Sequence, residues 1–292
     1  MFLQQLINGL TVGATYALVA VGFSLIYGIL QLINFSHGAF YLLGAYLVLT
    51  FHVSMGGNFF VALILSVVAT GILGALMDKM ILQPIRKKND TGVTSLIATL
   101  GFGTFLINLI IVLYGSETKS FPNVLNLGSF RVGNAIVLWH WVIIALIAVA
   151  VMLVLSWIVF RTKFGTAMRA ISQNPNAAQL MGIPVNKVIA MTFFIGTVCA
   201  ALSGTLVAMY YRSVDTTMYL AVSMKTFTAA VLGGIGSLPG AMVGGLLIGV
   251  METLVAGYVS SAYRNAVAFI LLIAVLIIKP SGLFGDKQVD KV

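Results

Sequence analysis

WVIIALIAVAVMLVLSWIVF, residues 141–160, is twenty residues without a charge, and RTKFGTAMRAISQNPNAAQLMGIPVNK, residues 161–187, follows it at once. The first stretch is long enough to cross a hydrocarbon core of about 30 Å as a helix. The second carries four cations and two prolines. Read together, they describe a chain built of segments that dissolve in lipid, interrupted by one polar excursion that stands outside it.

The rest of the sequence repeats the first half of that pattern. Of 292 residues, 60% are hydrophobic and 8% charged, against about 25% charged in soluble domains. Such a chain cannot clothe a water-facing surface. Its apolar runs are continuous, which excludes a transmembrane β-barrel with alternating segments of about ten residues. The expected fold class is all-α: a polytopic transmembrane helical bundle, one domain over 1–292, with the 161–187 loop inside it. Apolar runs read against their breaks predict spans at 8–30, 36–54, 58–80, 93–114, 137–160, 188–210, 222–236, 239–257 and 264–279. The seventh is short, rising only about 22 Å as a helix. It is either a tilted span completed by the glycines after it or a re-entrant hairpin, so the count is eight or nine.

Charge orients the bundle. The net charge is +9, and Lys and Arg gather in the cytoplasmic loops of membrane proteins, so the excess is topological and points to a lipid bilayer, not to nucleic acid. If Lys79, the loop QPIRKKND (83–90), the 161–187 segment and the tail share a side, that side holds eleven of the sixteen basic residues. Lys119, Arg131, Arg212, Lys225 and Arg264 fall on the other. Nine spans then place the N-terminus outside and the C-terminus in the cytoplasm. Eight would force the basic tail outside, so nine is preferred. No Lys or Arg precedes the first apolar run, so that run lacks the charged start of a cleavable signal and reads as a first span. The single Cys199 lies in an apolar run and is silent about redox compartment. The external loop 115–136 is long enough to fold over the outer mouth, or serves simply as a connection.

The polar excursion predicts its own structure. One helix covers about 165–172. Asn174 is a good N-cap for a second, because its side chain can accept from free amides of the next turn. Pro175 suits the first helical position, where its missing N–H costs nothing. Gly182 fits the left-handed position that ends a helix, and Pro184 prevents its continuation. A helix, a tight bend and a two-turn helix result. Alanines at 167, 170, 177 and 178 permit close approach of a partner, and Arg169 adds a fixed planar charge. The triplet Asn174-Pro175-Asn176 lies in the most polar loop, so it is not an aquaporin-like pore signature.

Three blocks carry a family resemblance. Gly165-Thr166-Ala167-Met168-Arg169-Ala170, with Asn174, Ala177, Ala178 and Gly182-Ile183, resembles the coupling loop of the branched-chain amino acid ABC-transporter permeases. The start agrees: Gly9-Leu10, Gly13, Tyr16-Ala17-Leu18, Gly22, Leu25-Ile26-Tyr27-Gly28, then Asn34-Phe35-Ser36-His37-Gly38 and Gly44-Ala45-Tyr46. The usual family wording has Ala where Ser36 stands. The third block is Gly233-Gly234-Ile235-Gly236-Ser237-Leu238-Pro239-Gly240-Ala241. The shorter, LivH-type permease is the closest in pattern. The resemblance implies a bacterial inner-membrane importer with a LivM-like second permease, two cytoplasmic ABC ATPases and a periplasmic amino-acid-binding protein. It also implies that Gly165, Met168, Arg169, Ala170, Asn174, Ala177, Ala178 and Gly182 couple the chain to an ATPase. The chain has no G-x-x-x-x-G-K-[ST] phosphate loop, so ATP is expected on the partner subunits and no cofactor on this one.

Candidate pathway or gate residues come from the breaks inside the apolar runs: Asn34, His37, Gly38, Gly233, Gly234, Gly236, Ser237, Pro239 and Glu252. Non-helical backbone at membrane depth is tolerated only when buried in protein or lining a water-filled cavity. The 233–236 glycines therefore serve a gate or a structural bend. The pairs Gly240/Gly244 and Gly245/Gly249 have the spacing of close helix packing. Asn34 to Gly38 form an interfacial turn or a break beside the pathway. Glu252 is the one carboxylate well inside an expected span, where an unpaired charge costs roughly 2.5–3.5 kcal/mol or more. His37 has no ligand-spaced carboxylate, so a metal role is not expected. No nucleophile, base and orienting group converge, so the chain is not an enzyme. Two further function classes compete with the importer: an ion-coupled secondary transporter, which needs an ion site, and a passive channel for small neutral solutes.

Overall fold

The computed structural model describes residues 1–54, 56, 58–88, 92–124 and 127–285. Every apolar run read from the sequence is a helix. The helices are α1 Phe2–Leu30, α2 His37–Leu49, α3 Phe59–Met77, α4 Gln83–Lys87, α5 Val93–Tyr114, α6 Trp139–Arg161, α7 Lys163–Gln173, α8 Pro175–Leu180, α9 Val185–Tyr211, α10 Met218–Gly233, α11 Leu238–Tyr258 and α12 Ala266–Ile278. A π turn, Thr50–Ser54, extends α2, and another, Asp78–Leu82, joins α3 to α4. Among the described residues six helical stretches are long and apolar enough to cross a membrane: α1, α3 with α4, α5, α6, α9 and α11. The helices at α2, α10 and α12 are apolar but shorter.

Three boundaries differ from the sequence reading. The first helix starts at Phe2 rather than near 8. The fifth expected span starts at Trp139, because Ala135–Leu138 (β3) pairs instead with Ser129–Val132 (β2) in an antiparallel hairpin. The 222–236 segment is one unbroken helix, α10, and contains no hairpin; it stops where Gly234 takes φ +101°. Short strands thus decorate a helical bundle, since Lys119–Ser120 (β1) also pairs with Ser213–Val214 (β4). The tail cations Lys287 and Lys291 lie outside the described residues.

The helices form two shells. In α1, 89% of the apolar window is buried, whereas in α5 and α6 only 22% is. The inner helices can therefore carry small and polar residues, such as Thr11, Gly13, Thr15 and Ser24 of α1, all buried. The outer helices are apolar on every side because lipid offers no hydrogen bonds. The most extensive inner contact joins α1 to α11. A Cβ on Gly249 would stand 2.2 Å from Cα of Gly13, and one on Gly245 would stand 2.3 Å from Cα of Ala17. Two more α11 glycines turn to α10, where Cβ atoms on Gly240 and Gly244 would stand 2.2 Å from the carbonyls of Gly233 and Ala229. One glycine-rich helix thus packs against two neighbours, which requires side chains of almost no width.

The helix ends gather into two groups. Gln4, at the start of α1, exchanges two hydrogen bonds with the backbone of Ile136 at 3.0 and 2.8 Å. The N-terminus, the β2–β3 hairpin and the β1–β4 pair share that end. At the opposite end, the finish of α1 meets α7, the 233–238 bend and the C-terminal residues.

Candidate functional site

The polar excursion folds as its punctuation dictates. Thr162 caps α7, accepting from Gly165 N at 3.2 Å. Asn174 caps α8, accepting from Ala177 N at 3.0 Å, with Pro175 in the first turn. Gly182 takes φ +82°. Its N–H donates to Gln179 at 3.0 Å, and the next N–H, of Ile183, donates to Ala178 at 3.1 Å. These two bonds close the helix and satisfy carbonyls that would otherwise be left open.

The coupling candidates divide between two faces. Gly165, Met168 and Ala178 are buried against their own chain. A Cβ on Gly165 would stand 2.0 Å from the carbonyl of Val159, so glycine lets α7 fold back onto the end of α6. Met168 borders a small apolar gap with Leu25 of α1, Leu155 of α6 and Ile195 of α9. Ala170 is half-buried. Arg169 is exposed but engaged: it donates to the Val159 carbonyl, and at 3.4 Å to Thr166. It therefore closes the C-terminus of α6, where cations are favoured. The outward face holds Asn174, Ala177 and Gly182. Between them project Leu180, 90% exposed, and Met181, 84% exposed. The sequence reading passed over both. Their signal was an apolar pair in the most polar loop, just ahead of the helix-ending glycine.

A cleft of about 940 Å³ opens beside this knuckle. Its walls include Tyr27 and Gln31 from the end of α1, Arg169 and Gln173 from α7, and Gly236 and Pro239 from the glycine block. Part of the coupling set and part of the gate set, far apart in sequence, therefore share one cavity. Ser237 also lines it and caps α11, accepting from Gly240 N at 3.2 Å. The free carbonyls at the end of α10 find donors in the C-terminal residues: Leu283 N bonds to Leu232 O and Phe284 N to Gly233 O, both at 2.9 Å. Gly233, which touches Gly240, and Gly234, which touches Gly285, leave no space for a Cβ. The glycine block is a bend whose polar groups are satisfied, and its far side is a cavity wall.

Asn34, His37 and Gly38 do not reach the cleft. Asn34 folds into its own turn, accepting from Ser36 N at 3.1 Å and from its hydroxyl at 2.5 Å. His37 places Nε2 3.1 Å from the Val19 carbonyl and its ring edge-on to Phe23. A Cβ on Gly38 would strike Ser223 of α10. This segment is a buried turn that seats α2 among α1 and α10. The described residues contain no group of three or more side chains suited to a metal ion.

Glu252 lies at the other end of α11, between two cations. Its Oε2 is 2.8 Å from Lys225 Nζ, and its Oε1 is 3.4 Å from both Arg264 Nε and the Tyr16 hydroxyl. Lys225 also donates to Tyr16 at 3.1 Å. Lys225, counted above among the external cations, is thus buried within α10 rather than exposed in a loop. Nor is Glu252 the only interior carboxylate. Asp78 is buried in the π turn and held by both terminal nitrogens of Arg86, at 2.6 and 3.2 Å.

The knuckle, the cleft and the glycine-packed inner helices make an apolar helical bundle with one polar element protruding from it. Residues 5–276 match the family described as the branched-chain amino acid transport system permease component. The chain belongs to that family. It is 37% identical over 307 residues to the high-affinity branched-chain amino acid transport system permease protein LivH of Salmonella typhimurium, covering 100% of this chain and 98% of that one. Identity to the permease protein BraD of Pseudomonas aeruginosa is also 37%, with the same coverage. A probable LivM permease of Methanocaldococcus jannaschii is 26% identical over 78% of this chain and 69% of its own length. This permease is therefore a multi-pass membrane transport subunit and not an enzyme.

Proposed function

We propose that this permease forms the translocation pathway of an ATP-driven importer for branched-chain or related hydrophobic amino acids in the bacterial inner membrane. Nine helices cross the bilayer, with the N-terminus outside and the C-terminus inside. A LivM-like second permease, two cytoplasmic ABC ATPases that bind the ATP, and a periplasmic amino-acid-binding protein complete the machine.

The observation that carries this reading is the knuckle. An apolar pair, Leu180 and Met181, stands almost fully exposed on a helix capped at both ends. Asn174, Ala177 and Gly182 surround it as the face that meets an ATPase. Gly165, Met168, Arg169, Ala170 and Ala178 hold that face to the bundle. Contacts from α7 to α1, α6 and α9 give a push on the tip three routes into the membrane. The scarcity of fixed charge along the inner helices suits a net-neutral zwitterion with an aliphatic side chain. A secondary transporter is disfavoured because Glu252 and Asp78 are already committed to cations.

The test replaces Leu180 and Met181 with Asp in the assembled transporter. Both side chains are exposed, so the bundle folds and reaches the membrane. Uptake falls by at least about tenfold, the loss expected when anchors in an interface core are exchanged for charges. Wild-type uptake in that variant, or flux by the permease alone without ATPases, rejects the reading.

A further inference from the structure

The inner end of α11 borders a cleft, while its outer end is sealed by the cluster around Glu252. Leu238 and Glu252 lie about 21 Å apart along the helix, at 1.5 Å per residue. The chemistry of the outer cluster differs from that of the other buried ion pair. At Asp78 one guanidinium engages both oxygens of one carboxylate, leaving nothing to exchange. At Glu252 two cations share one carboxylate, which leaves the cluster with an excess positive charge.

The two cations are also placed differently. Lys225 is on Oε2, with its side chain 6% exposed, and turns a further bond to Tyr16. Arg264 is on Oε1 at 3.4 Å, with its side chain 39% exposed. It sits on the segment between α11 and α12, not on a packed helix. Withdrawing Lys225 would strand a buried carboxylate, which is strongly destabilising. Withdrawing Arg264 strands nothing: the guanidinium moves into water and Glu252 keeps Lys225. This is the charge arrangement of a contact that can open and close at small cost.

We propose that Arg264 is the releasable arm of an outer latch. It holds Glu252 while the inner cleft is open, and leaves it when the outer end of α10 parts from α1 and α11 to receive an amino acid. The proposal rests on the importer reading above. Lys225 and Tyr16 are the fixed half of the latch, and α1, welded to α11 by the Gly13–Gly249 contact, ties it to the helix that α7 touches at the inner end.

The experiment uses the complete transporter in proteoliposomes with a reporter cysteine, Thr228→Cys. Thr228 is buried one turn inward of Lys225, and its hydroxyl has no hydrogen-bond partner, so the exchange is mild. The native Cys199 is buried and provides a silent background. A membrane-impermeant thiol reagent is applied from outside without ATP. With Arg264 present the reporter reacts slowly. With Arg264→Ala it reacts faster, by up to about fivefold, the shift expected from losing an ion pair with one half-exposed partner, and ATP hydrolysis without the binding protein rises. Arg264→Lys restores slow labelling, and Arg264→Gln repeats the measurement should the alanine variant fail to assemble. Equal labelling with and without Arg264, whether fast or slow, overturns the latch. If the unaltered transporter takes up no hydrophobic amino acid, the importer reading fails, while the labelling contrast still decides whether Arg264 seals this end.

Discussion

At the knuckle, the groups that shape the chain come from a short stretch: Asn174 caps with Ala177, Gly182 closes on Gln179, and Arg169 reaches back to Val159. At the outer cluster, one carboxylate gathers Tyr16, Lys225 and Arg264 from three other parts of the chain. The first region is held by local hydrogen bonds in water. Its failure is local, and leaves the rest of the bundle folded. The second joins inner helices through a buried carboxylate, so removing Glu252 or Lys225 destabilises the whole bundle, whereas Arg264 stands half-exposed at its edge.

That contrast can be broken or sharpened by three substitutions. The largest effect is expected from Glu252→Gln, which leaves Lys225 buried beside a neutral amide. Breaking a buried pair from one side costs about 3–5 kcal/mol, enough to lower the melting temperature in detergent sharply and reduce the amount of folded permease. Adding Lys225→Met removes the stranded charge and should recover most of the loss. If the single variant is as stable as the parent, the cluster does not hold the helices together. A smaller effect is expected from Gly249→Ala, which puts a methyl group where Gly13 now lies. Overpacking of a tight contact costs typically 1–3 kcal/mol, read as a lower melting temperature with the α1–α11 contact loosened. An unchanged melting temperature would mean that the two helices part easily. The smallest is Asn174→Ala. Loss of a cap costs about 1 kcal/mol, confined here to α8, so amide exchange in 175–180 quickens while the melting temperature hardly moves. Uptake should nevertheless decline, because the tip it supports is the part proposed to meet the ATPase.

Arg169 shows how far a local reading extends. The sequence displays a cation in a helical, alanine-rich loop, and such a charge reads as a docking group. The structure places it on the Val159 carbonyl near the end of α6, because the chain reverses there and the freed acceptor needs a donor. Leu180 and Met181 make the converse point. Apolar residues in a hydrophobic chain attract no notice, and what sets this pair apart is exposure on a capped helix of the polar loop instead of on an apolar span.

The sequence by itself determined the membrane class, the apolar helices among the described residues, the capped bend and the glycine spacing, because each depends on residues within a few turns of one another. It could not assign partners. Which cation would find Glu252, which neighbour each α11 glycine would face, and that the end of α1 would share a cleft with the knuckle were decided by tertiary structure. The physical reason is that contacts between helices depend on their rotation and direction in the bundle, and a run of apolar residues that is buried on every side carries no periodicity to announce either.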